Sequence, residues 1–87
     1  MIPADQLKTL TSFSAPALTR AAREGGYEGP AFASTEFLGI TNGGQFCYTA
    51  LFLRDAKTGE VGRTKVFLTY DPTRARVSAD CELTSGA

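Results

Sequence analysis

Side chains alternate along Gln45–Asp55, and both alternating sets are apolar. One face of that stretch receives Cys47, Thr49, Leu51 and Leu53; the other receives Phe46, Tyr48, Ala50 and Phe52. A small antiparallel sheet needs only one apolar face to fold. A strand greasy on both sides therefore belongs to a sheet with cover on each side. The chain's own helices supply one cover, and something else must supply the second.

The neighbouring residues extend this strand into a meander. Thr35–Thr41 reads as the strand before it. Asn42-Gly43-Gly44 between the two is a strong hairpin signal, because tight hairpin turns need positive φ. Asp55-Ala56-Lys57-Thr58-Gly59-Glu60 is a polar loop with its glycine late, the pattern of a type I turn closed by a G1 bulge. Val61–Tyr70 follows as a third strand, and Asp71-Pro72 ends it. Arg76–Leu83 is a candidate fourth strand, with Val77, Ala79, Cys81 and Leu83 on one side.

The N-terminal part has helical spacing instead. Leu7, Leu10 and Phe13 recur every three residues over positions 3–13, with Pro3 suited to a first turn and Asp5 to the positive end of the dipole. Ser14 is a good N-cap for a second segment, Pro16 fits its first turn, and Gly25-Gly26 stop it. One bent helix and two separate helices both satisfy this pattern. The predicted fold is α+β: one or two N-terminal helices packed on a three- to four-stranded antiparallel β-meander. It forms a single domain over 1–87, with a helical part 3–25, a connector 26–34, a sheet 35–83 and a tail 84–87.

Hairpins with two-residue loops fix which residues share a face. With such loops, Leu38, Ile40, Val66, Leu68 and Tyr70 join Cys47, Leu51 and Leu53 on an aliphatic face suited to the helices. Phe37, Phe46, Tyr48, Phe52 and Phe67 gather opposite, rimmed by Arg54, Arg63 and Lys65. A bulge in either turn exchanges sides for one strand. Each aromatic has about 150–250 Å² to bury, and five left open exceed what soluble monomers usually expose in one patch. Aromatic anchors with a cationic rim are also the residues that dominate binding hot spots. The expected partner-binding residues are therefore Phe46, Tyr48, Phe52 and Phe67, with Arg54, Arg63 and Lys65 at the rim. Competing covers are the N-terminal segment wrapped around this side, the Tyr27–Ser34 connector with the last strand lying across it, and a homodimer through the sheet.

Composition narrows the function classes. Nine Lys/Arg balance nine Asp/Glu, which argues against a nucleic-acid binder driven by bulk charge. Exposed rings beside Arg and Lys still resemble a platform for single-stranded nucleic acid, so that is the alternative to a protein partner. There is no histidine, and two cysteines alone cannot complete a zinc site. Cys47 and Cys81 lack a histidine base, Glu82 points away from its neighbour Cys81, and Asp71, Asp80 and Glu82 read as solvated charge. No catalytic residue, metal or cofactor is expected. A disulfide requires the strands of Cys47 and Cys81 to be neighbours. No segment approaches the ~20 apolar residues of a membrane span. Met1-Ile2-Pro3-Ala4-Asp5 has neither the basic start nor the apolar run of a secretion signal, so a cytoplasmic protein is expected.

The whole-chain build resembles the anti-CRISPR proteins of phages and other mobile elements: a tiny, charge-balanced chain, short helices followed by an antiparallel sheet, and no catalytic set. It looks most like inhibitors of type I systems. Its most distinctive strings are Thr41-Asn42-Gly43-Gly44-Gln45-Phe46-Cys47-Tyr48 and Lys65-Val66-Phe67-Leu68-Thr69-Tyr70-Asp71. These inhibitors share no motif, so no site residue transfers. The resemblance implies a non-enzymatic inhibitor, in a bacterial host cell if phage-encoded. It would bind a CRISPR surveillance complex or nuclease and block target-DNA binding or cleavage. Many such proteins are acidic DNA mimics. A neutral chain points instead to contact by shape and aromatic side chains.

Overall fold

The computed structural model describes residues 2–71, 73 and 76–84. Two helices, α1 (Ala4–Leu10) and α2 (Ala15–Glu24), precede four strands: β1 (Phe32–Ile40), β2 (Phe46–Asp55), β3 (Glu60–Asp71) and β4 (Arg76–Thr84). The strands form one antiparallel sheet in the order β1-β2-β3-β4. This is the predicted α+β arrangement, with four strands and two separate helices. Of the expected tail 84–87, Thr84 instead ends β4, and the remainder, like the expected strand breaker Pro72, lies outside the described residues.

Local chemistry explains why the helices are two. Past Leu10 the hydroxyls of Thr11 and Ser12 donate back to the carbonyls of Leu7 and Lys8, closing α1 early. Ser14 then caps α2, its Oγ accepting from the Ala17 N–H at 3.3 Å, and Pro16 sits in the first turn. At the other end, the N–H groups of Gly25, Gly26 and Tyr27 donate to the last carbonyls of α2. Gly26 takes φ 104°, a conformation that a side chain would strain.

Both helices are tied to the same side of the sheet. The Tyr48 hydroxyl donates to the Leu10 carbonyl at 2.6 Å and accepts from the Phe13 N–H at 3.0 Å, holding the joint between α1 and α2. Thr19 does the same for α2: its Oγ1 donates to the Ala15 carbonyl and accepts from the Phe32 N–H at 3.0 Å. That second bond starts β1 at Phe32, three residues ahead of the expected Thr35, and shortens the connector. α2 touches both outer strands, β1 and β4. Gly25 makes the close approach to β4, where a Cβ would collide with the Ala79 carbonyl.

The turns decide which side chains the helices cover. The first hairpin has a three-residue loop, with Gly44 N–H donating to Thr41 O at 3.0 Å and Thr41 N–H to Gln45 O at 2.8 Å. Gly44 at φ 82° supplies the bulge. This differs from the expected two-residue loop and pairs Ile40 with Phe46 instead of placing it on the Cys47 side. A second irregularity, between Phe37 and Gly39, restores the pairing of Phe37 with Tyr48. The β2–β3 ladder shifts once, between Leu53 and Asp55. That single step turns β3 over relative to expectation. Val66, Leu68 and Tyr70 join Phe46 and Tyr48, whereas Phe67 pairs with Cys47 on the other side.

The core is the helix-covered face. Leu10, Leu18 and Ala22 from the helices meet Phe32, Phe46, Tyr48, Ala50, Phe52, Val66, Leu68 and Ala79 from the sheet. Phe37 and Phe13 complete an aromatic cluster around Tyr48, with ring centroids 5.2 Å and 6.1 Å from it.

Candidate functional site

The expected aromatic docking face is the core. Phe46 and Tyr48 are 1% exposed and Phe52 7%, lying under the helices rather than opposite them. The assignment of helices to the aliphatic side is corrected accordingly. Tyr48 spends its hydroxyl on the helix joint, and the ring it carries has no surface to offer. The expected rim also divides. Arg63 and Lys65 stand on the uncovered face with Phe67, while Arg54 lies on the covered side, its Nη1 on Glu60 Oε1 at 3.3 Å. The structure thus distributes seven expected contact residues over three places: core, bare face, and a recess by Arg54.

The bare face has its own apolar content. Leu38, Leu53 and Val61 are 52%, 47% and 59% exposed, and Leu51 and Phe67 are half-buried beside them. Register explains the grouping: Leu53 pairs with Val61, Leu51 with Arg63, Thr49 with Lys65, and Cys47 with Phe67. Glu36 enters the same rows from β1 and Asp80 from β4. A shallow depression of about 330 Å³ runs between Leu38, Leu51, Glu36, Arg63 and Lys65. Both signs of charge therefore ring an aliphatic floor. Sequence reasoning missed Val61 and placed Leu38, Leu51 and Leu53 beneath helices. The bulge-forming glycine Gly59, at φ 76°, was the sign that the second ladder slips.

The recess lies on the covered side, where the loop after α2 faces the sheet. Gly25, Gly26, Tyr27, Glu28, Gly29 and Pro30 form one wall; Phe52, Arg54, Asp80 and Cys81 form the other. It holds about 610 Å³. Burial pushes the Cys81 thiol above its ordinary pKa, and the Asp80 carboxylate adds to the effect. Burial likewise raises the Tyr27 phenol, assisted by Cys81 and opposed by Arg23. Both groups stay neutral near pH 7, so Cys81 is a poor nucleophile.

The two cysteines occupy opposite faces of non-adjacent strands and are free thiols. Among the described residues, no three His, Cys, Asp or Glu side chains gather closely enough to hold a metal ion. No described helix is long and apolar enough to cross a membrane. No protein-family model, curated protein or solved structure matches this chain.

Proposed function

We propose that this chain is a non-enzymatic protein-binding module that docks through the bare face of its sheet. The observation that carries this is the one-sided placement of both helices. It leaves Leu38, Leu53 and Val61 half exposed on the other side, flanked by half-buried Leu51 and Phe67. Apolar groups at that exposure, ringed by Arg63, Lys65 and Glu36, match the anatomy of a binding patch. The absence of any histidine and the neutral state of Cys81 favour binding over catalysis.

The partner proposed is a subunit of a type I CRISPR surveillance complex or its nuclease, with inhibition as the outcome. Resemblance in size, charge balance and element order supports that choice. The test uses purified type I complexes and their nuclease. Wild-type protein should bind and reduce target-DNA binding or cleavage, and the double variant Leu53→Glu/Val61→Glu should do neither while keeping its circular dichroism. Binding that survives this variant would remove the bare face as the site. Failure to bind any type I component would remove the inhibitor reading. A mobility shift with single-stranded DNA or RNA that falls steeply with salt would instead support the nucleic-acid alternative.

A further inference from the structure

Phe52 and Arg54 share the covered side of β2 and line the recess beside the loop after α2. Its volume of about 610 Å³ falls inside the usual range for small-molecule pockets. The loop wall is ready-made. The Tyr27 hydroxyl donates to the Pro30 carbonyl at 2.7 Å, and Arg23 donates to the Gly29 carbonyl at 3.1 Å while its guanidinium lies 5.9 Å from the Tyr27 ring centre. A wall pinned by its own bonds needs little ordering when a ligand arrives.

Gly62 shapes the floor. It is buried in β3 opposite Phe52, and a Cβ there would collide with the Phe52 ring. The Arg54 Nη2 lies over the same glycine, 3.2 Å from where that Cβ would stand. The missing side chain thus lets an aromatic ring and a guanidinium lie side by side. Arg54 Nη1 reaches Glu60 Oε1 at 3.3 Å, and the two side chains are 43% and 57% exposed. So exposed an ion pair is weak, and a guanidinium carries five N–H donors. Arg54 can donate to a second carboxylate while it keeps the first.

Away from Arg54 the lining is apolar or uncharged: the Tyr27 and Phe52 rings, Pro30, the backbone of Gly25-Gly26 and the neutral thiol of Cys81. Asp80 borders the recess, but its ladder partner is Phe67, so its carboxylate stands on the bare face. Glu28 is exposed in the loop wall, where water and salt screen it. The charge set beside the rings is therefore a single cation. Ring faces favour a flat body over a flexible chain of similar size.

We propose that this recess binds a small aromatic carboxylate, its ring against Tyr27 and Phe52 and its carboxylate on Arg54. This site is independent of the bare-face docking surface.

The experiment is a titration of ¹⁵N-labelled protein with 3-phenylpropionate, 3-phenylpropan-1-ol (no charge) and hexanoate (no ring). Phenylpropionate should shift the amides of Gly25, Gly26, Gly29 and Gly62 with a dissociation constant on the order of 1 mM. The alcohol should bind about tenfold more weakly, the loss of one charge-assisted hydrogen bond, and hexanoate should also bind more weakly. Arg54→Gln should bring phenylpropionate down to the level of the alcohol and leave the alcohol unchanged. Glu60→Gln releases Nη1 and should tighten phenylpropionate about threefold. The core resonances of Phe46 and Tyr48 report the fold of each variant. Glycine amides unmoved by phenylpropionate, an alcohol or hexanoate that binds as tightly, Arg54→Gln without effect on the acid, or shifts confined to Leu53 and Val61 would each overturn the proposal.

Discussion

The two faces of the β2–β3 ladder are built from interleaved residues of the same two strands and meet opposite fates. Phe46, Tyr48, Val66 and Leu68 are at most 1% exposed; Leu53 and Val61, on the alternate positions, are about half exposed. Both sets are apolar, so hydrophobicity alone does not separate them. What separates them is where the helices are fastened. Tyr48 holds the α1–α2 joint and Thr19 holds the start of β1, and both bonds lie on one side. A sequence states how much apolar surface must be hidden; side-chain hydrogen bonds of this kind choose which surface it is.

The sharpest way to break the comparison is to make equal truncations on each side. Phe46→Ala should cost about 3–5 kcal/mol, enough to unfold most of a domain this small, as read by urea denaturation. Gly25→Ala comes next. Its Cβ has no room against the Ala79 carbonyl, and the forced shift of α2 off β4 should cost about 1–3 kcal/mol.

Tyr48→Phe tests the fastening itself. It keeps the ring but leaves the Leu10 carbonyl and the Phe13 N–H without their shared partner, an expected loss of about 1–3 kcal/mol. Burial pushes the Tyr48 phenol above its ordinary value of 10.0, opposed by the Phe13 N–H. A pKa raised by folding stabilises in full below the unfolded value and fades as pH climbs through the folded one. Wild-type stability should therefore hold up to about pH 9, where the raised Cys81 thiol begins to contribute, and fall more steeply above about pH 10 as the raised Tyr27 and Tyr48 phenols join it. In Tyr48→Phe that alkaline fall should shrink to the part due to Cys81 and Tyr27, measured by denaturation across an alkaline pH series.

Leu53→Glu and Val61→Glu mark the other end of the scale. Each should change stability by no more than about 0.5 kcal/mol, because neither side chain is packed under a helix. A large destabilisation would show that the bare face is covered by another copy of the chain, and sedimentation would then reveal a dimer.

Element types and most boundaries were legible because they rest on local chemistry. Ser14, Pro16 and Gly25-Gly26 bracket α2, and the glycine-containing turns bracket β2 and open β3. The start of β1 was not legible, since it depends on Thr19 reaching Phe32 across thirteen residues. The candidate surface failed for a related reason. Alternation correctly sorted β2 into two sets, Phe46/Tyr48/Phe52 and Cys47/Leu51/Leu53. Joining β3 to the right set needed the exact step between Leu53 and Asp55; Gly59 signals that a bulge is there, but not which residues it leaves opposite each other. The middle of the first hairpin came out mostly as expected because the irregularities at Gly44 and near Gly39 cancel there, before a further shift between Phe32 and Ser34.

That cancellation makes the sheet behave like a reading frame. Two compensating slips keep Phe37 of β1 in phase with Tyr48, while the slip before Glu60 sets the phase of everything downstream. Deleting or inserting a single residue in the 56–59 turn would invert β3 and carry β4 with it, exchanging Phe67 for Leu68 beneath the helices. For a chain built this way, changes of length rather than of letter are the route to a different outer coat.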